Sequence, residues 1–122
     1  MAGFIVTAEL GSKDAFKLAR SVASRMEYTV ERLDDSTFQA TQGSLTASIF
    51  LGAFIAYCEF EIEIRTSRYN GEVDVVINRN CPWWTGWLGL KRVKNRASEL
   101  ASAIADEIER DGSRVLKEKE FS

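Results

Sequence analysis

The sequence predicts an α+β domain, an antiparallel meander sheet with two helices on one face, in the order β-α-β5-α. Two turn signals, Gly52-Ala53 and Asn70-Gly71, each sit between runs in matching hydrophobic phase, and glycine or asparagine accepts the positive φ that tight hairpins need. Two other stretches, 12–26 and 90–111, repeat their apolar residues at helical spacing. The apolar strand positions share one face, so both helices must cover it.

In chain order, Phe4–Ala8 is a short run of strand formers followed by Gly11 and Ser12. Ser12 is the predicted N-cap of the first helix. Its core stripe is Ala15, Leu18, Ala19, Val22, Ala23 and Met26, and Lys13, Lys17, Arg20 and Arg25 take the other side. Tyr28–Leu33 and Thr37–Gln42 form a hairpin around Asp34-Asp35-Ser36. A three-residue loop sets Val30 opposite Ala40 and Arg32 opposite Phe38, whereas a two-residue loop would set Glu31 against Phe38. Gly43-Ser44 then leads to a strand from Leu45, with Ala40 against Ala47 and Phe38 against Ile49. The Gly52-Ala53 turn pairs Leu51 with Phe54, Ile49 with Ala56, Ala47 with Cys58 and Leu45 with Phe60. The Asn70-Gly71 turn pairs Ile64 with Ile77 and Glu63 with Asn78.

The last long element, Leu90 to Asp111, buries Leu90, Val93, Ala97, Leu100, Ala101, Ile104 and Ile108 and ends on Gly112 as its C′ residue. Residues 1–112 thus make one domain, and SRVLKEKEFS, 113–122, is expected to be a charged C-terminal tail. This order resembles the helix-grip and TATA-binding-protein-like architectures. The resemblance is one of element order and brings no functional residue with it.

At 122 residues the chain suits one core, and no Pro, Gly or Ser-rich linker divides it. A net charge of -2 gives no general attraction to nucleic acid. Cys58 reads as a small core residue, and neither it nor Cys81 has metal-site or redox-pair spacing. MAGFIVTAEL lacks a signal-peptide pattern and no run approaches the ~20 apolar residues of a membrane span. The expected location is cytoplasmic.

The second sheet face is expected to present Thr29, Glu31, Thr37, Gln39, Thr41, Thr46, Ser48, Tyr57, Glu59, Glu61, Glu63 and Asn78. An acidic face repels phosphate, so the sheet is not expected to bind nucleic acid. Glu59, Glu61 and Glu63 point one way, but strand geometry spreads them along a line ~7 Å apart instead of around a cation. They read as a solvated ladder and not a metal site. Histidine is absent, as are phosphate-loop, GxSxG and GxGxxG patterns. No residue nominates itself as catalytic or cofactor-binding, and a non-catalytic domain is the expectation.

One stretch stands out: CPWWTGWLGLKRVKNR holds all three tryptophans, Trp83, Trp84 and Trp87, and then Lys91, Arg92, Lys94 and Arg96. No acidic residue occurs between Asp74 and Glu99. Cations crowded at the start of the last helix oppose its macrodipole, and Arg92 and Arg96 form a like-charge i,i+4 pair. Two readings follow. Trp83, Trp84, Trp87, Lys91, Arg92, Lys94 and Arg96 make contact with an anionic partner or membrane surface, or the tryptophans plug the open end between helix and sheet while the cations pair with acids elsewhere. A small hydrophobic ligand held between sheet and helices, and a homo-oligomer built through the Trp segment or an outer strand, complete the set of expectations.

Overall fold

The structure, a computed structural model, describes residues 3–42, 58–66, 71–79 and 86–121. Within them β1 (Gly3–Glu9), β2 (Thr29–Arg32), β3 (Thr37–Gln42), β4 (Cys58–Thr66), β5 (Glu72–Arg79) and β6 (Arg114–Phe121) form one antiparallel sheet. Its spatial order is β2-β3-β4-β5-β1-β6. α1 (Ser12–Arg25) and α2 (Gly86–Arg110) pack on one face of it, as expected from the single apolar phase. The sheet is therefore an antiparallel meander from β2 to β5, extended by the first and last strands.

Alternation creates the face. In β4, Phe60, Ile62 and Ile64 are buried under the helices, while Glu59, Glu61 and Glu63 between them point away. Opposite them Phe38 and Ala40 of β3 and Val73, Val75 and Ile77 of β5 continue the same layer. Small residues on α1, Ala15, Ala19 and Ala23, bring the helix close enough for Phe16 to meet Phe38 edge-on, with ring centroids 5.4 Å apart. Tyr28 meets Phe60 in the same manner at 5.8 Å. From α2, Leu100, Ile104 and Ile108 complete the core. Each large side chain buried this way contributes about 1.5–3 kcal/mol.

The helix ends follow one rule twice. After α1, Glu27 donates its N–H to Ser24 and Tyr28 to Ala23; after α2, Gly112 donates to Glu109 and Ser113 to Ile108. Both are Schellman closures, with Glu27 (φ 70) and Gly112 (φ 90) in the left-handed C′ position. The two last turns also meet, because Glu107 of α2 accepts Arg25 of α1 at 3.1 Å and Arg110 at 3.3 Å. Cations there complement two converging negative helix ends.

The Val30–Ala40 and Arg32–Phe38 register is as expected. Leu33 bonds to Thr37 and Asp34 folds its carboxylate onto Ser36, as a three-residue loop requires. Several other expectations are corrected. Ser12 is the first helical residue and Gly11 the N-cap, with no side-chain cap bond. β3 pairs with β4, Phe38 with Ile62 and Ala40 with Phe60, so both sides of β3 are taken and its pairing with Ala47 and Ile49 does not form. The strand and hairpin expected over 45–57 otherwise lie outside the described residues, as do the side chains of Cys58 and Cys81.

The β4–β5 register is displaced by two residues from expectation, with Ile62 opposite Ile77 and Ile64 opposite Val75. A two-residue displacement returns every side chain to its own face, so hydrophobic phase cannot detect it. Gly71 does adopt the positive φ of 83° asked of it, while Asn70 lies outside the described residues. The expected C-terminal tail is β6. It pairs with β1 from Gly3–Phe121 to Glu9–Arg114, across one bulge between Thr7 and Ala8. Val115 adds to the core edge.

Candidate functional site

The topology assembles one end of the sheet from distant parts of the sequence. Gln42 stands beside Cys58, Phe60 beside Arg79, and Gly3 beside both Asn78 and Phe121. Both long connections depart from this end. Residues 43–57 leave at Gln42 and return at Cys58; residues 80–85 leave at Arg79 and enter α2 at Gly86. No charged residue occurs in 43–57 or in 80–90. The basic run of α2 begins directly after.

α2 starts at Gly86, one turn earlier than its periodicity suggests, with no acidic residue in its first turn. Trp87, Lys91, Arg92, Lys94 and Arg96 therefore share one helix, while Trp83 and Trp84 lie outside the described residues, as do the side chains of Trp87 to Lys94. The earlier start moves Lys91 beyond the first turn, where the macrodipole is weak, so that part of the expected conflict is relieved. The like-charge spacing of Arg92 and Arg96 remains. Arg96 itself is half-buried, immediately before the buried Ala97.

The far face of the sheet carries the expected acids. Glu31, Gln39, Glu61 and Asn78 stand in one row across β2 to β5, with Glu59 and Glu63 on the same face. Each of those two has a local partner: Gln39 donates to Glu59, and Arg65 grips Glu63 through Nε and Nη2, both at 3.1 Å. That hydrogen bond, with the charge of Glu63, raises the Arg65 pKa further. Thr7 Oγ1 donates to Asp74, the residue opposite Arg65, at 2.7 Å. Among the described residues no three His, Cys, Asp or Glu side chains converge as metal ligands. The face is not uniformly wet, however. Val76 on it is only 2% exposed and stands apart from the main core, and Thr37 is 7% exposed.

A recess that sequence reasoning did not anticipate lies at the opposite end of the sheet. It measures about 600 Å³ between the start of α1, the β2–β3 turn and the end of β4, lined by Ser12, Lys13, Asp35, Ser36, Glu63 and Arg65 among others. Its lining mixes both charge signs, and the β2–β3 turn is tied to the end of β4 by the Ile64 N–H, which donates to the Ser36 carbonyl at 2.7 Å, beside the Thr37–Glu63 pair of the ladder. Among the described residues no helix is long and apolar enough to cross a membrane. No protein-family model and no curated protein matches this chain.

Proposed function

We propose that this is a non-catalytic docking domain that contacts an anionic membrane surface through the segment 83–96. The observation that carries the reading is the shared origin of the two uncharged connections, 43–57 and 80–85, at one end of the sheet, next to the helix that holds Lys91, Arg92, Lys94 and Arg96. Tryptophan favours the membrane interface, and each basic residue near an anionic leaflet adds about 1 kcal/mol. Trp83, Trp84 and Trp87 supply apolar area and the four cations supply attraction. The acidic far face and the overall charge of -2 oppose any less selective approach to anionic matter.

Flotation with vesicles of neutral lipid, with and without phosphatidylserine, tests the proposal. Binding is expected on the anionic vesicles, weakened by salt, with a blue shift of tryptophan emission and protection from iodide. Lys91→Glu/Arg92→Glu/Lys94→Glu is expected to lower the partition constant by at least about a hundredfold, on roughly 1 kcal/mol per cation removed. Blue, iodide-resistant emission that vesicles leave unchanged would mean that the tryptophans plug the fold, and the proposal would fail.

A further inference from the structure

β6 is one border of the sheet; among the described strands it pairs with β1 alone. A border strand leaves a row of backbone N–H and C=O groups that another strand can use. Its register sorts its charges. Glu118 stands opposite Val6 and Glu120 opposite Phe4, which places both on the helix side. Lys117 stands opposite Thr7 and Lys119 opposite Ile5, on the far side. All four are exposed. The bulge interrupts the border near Leu116, so its regular stretch begins at Lys117.

Two copies joined along this border as antiparallel strands about a two-fold axis must set same-side residues opposite each other. A pairing centred on residue 118 puts Glu118 against Glu118 and Lys117 against Lys119 twice. Centred on 119 it puts Lys119 against itself and Glu118 against Glu120, and centred on 117 it puts Lys117 against itself. Each register stacks like charges, which destabilises a strand pair. A segment with the opposite order of charges would meet an attractive partner at every one of these positions.

We propose that the β6 border is a strand-docking surface sorted by charge. It turns away a second copy of this chain and takes an extended segment of another chain that is acidic toward the far face and basic toward the helices. None of its residues belongs to 83–96, so it stands or falls separately from membrane docking.

Charge-swapped full-length chains test it. Lys117→Glu/Lys119→Glu makes the stretch acidic, and Glu118→Lys makes residues 117–119 basic; mixed in register, they set Glu against Lys at all three positions. Sedimentation is expected to show that wild type and each variant alone do not associate through this border. The equimolar mixture is expected to form a heterodimer that binds about tenfold more weakly in 0.5 M than in 0.05 M salt, with slowed hydrogen exchange at the backbone amides of 117–120. A mixture that stays monomeric at millimolar concentration overturns the proposal, and so does wild-type association that slows exchange at those amides. Should a swapped chain fail to fold, Lys117→Thr/Glu118→Thr/Lys119→Thr replaces it: self-association through the same amides supports the proposal, and a monomer overturns it.

Discussion

Glu27 and Gly112 hold the same place in the same helix-closing motif, yet only one is a glycine. A side chain in the left-handed region costs roughly 1–2 kcal/mol, and Glu27 is exposed, with no burial to offset that. Glu27→Gly is therefore expected to stabilise the protein by about 0.5–1 kcal/mol, after glycine's larger unfolded-state freedom is subtracted. Gly112→Ala is expected to destabilise it by about 1 kcal/mol. Urea titration should show both as midpoint shifts at constant slope. Asp34 makes a different kind of contribution. The Ser36 backbone N–H, 2.8 Å from its carboxylate, is the main reason its pKa lies below the ordinary carboxylate value; desolvation opposes it, and further hydrogen bonds from Thr37 and Ser36 add to the lowering. A pKa lower in the folded than the unfolded chain stabilises above the unfolded value and loses that effect as pH falls through the folded one. The stability difference between wild type and Asp34→Ala is thus expected to be largest near neutrality and to shrink on the acid side of the carboxylate range. A difference that stays constant with pH would refute it.

Between elements, Phe38 is the joint of α1 with the sheet: it is fully buried, edge-on to Phe16, and one residue from the tight β2–β3 loop. Phe38→Ala is expected to cost about 3–5 kcal/mol in denaturant unfolding, through lost transfer energy and the cavity left behind. This hairpin was readable in the sequence because a one-residue error would have placed Glu31 opposite Phe38. The β4–β5 register was not, since Phe60, Ile62 and Ile64 offer the same greasy face at every second step. β6 escaped notice for a related reason. Lys117, Glu118, Lys119 and Glu120 present no apolar alternation, because a border strand outside the main core needs little of it, and the element is supported by its ladder to β1. Of the candidate site, the crowding of Trp83, Trp84, Trp87, Lys91, Arg92, Lys94 and Arg96 was visible in composition. That 43–57 leaves from the same end depends on β3 pairing with β4, a long-range contact that no local spacing encodes.

For the whole molecule, charge is distributed by topology more than by amount. A near-neutral chain places Glu31, Glu59, Glu61 and Glu63 on the far face of β2 to β4 and Lys117 and Lys119 on the far side of β6, while two uncharged connections, 43–57 and 80–85, depart from one end of the sheet. Membrane docking and strand docking would therefore use separate surfaces and could proceed together. The position of β1 has a consequence of its own. β1 is enclosed by β5, some seventy residues further along, and by β6, more than a hundred residues further along, Gly3 pairing with Asn78 and with Phe121. Closing loops that long is entropically slow. During synthesis Val6 and Ala8 must wait, unsheltered, until the partners of β1 have emerged, and a nascent chain stalled before residue 114 would still lack the outer neighbour of β1.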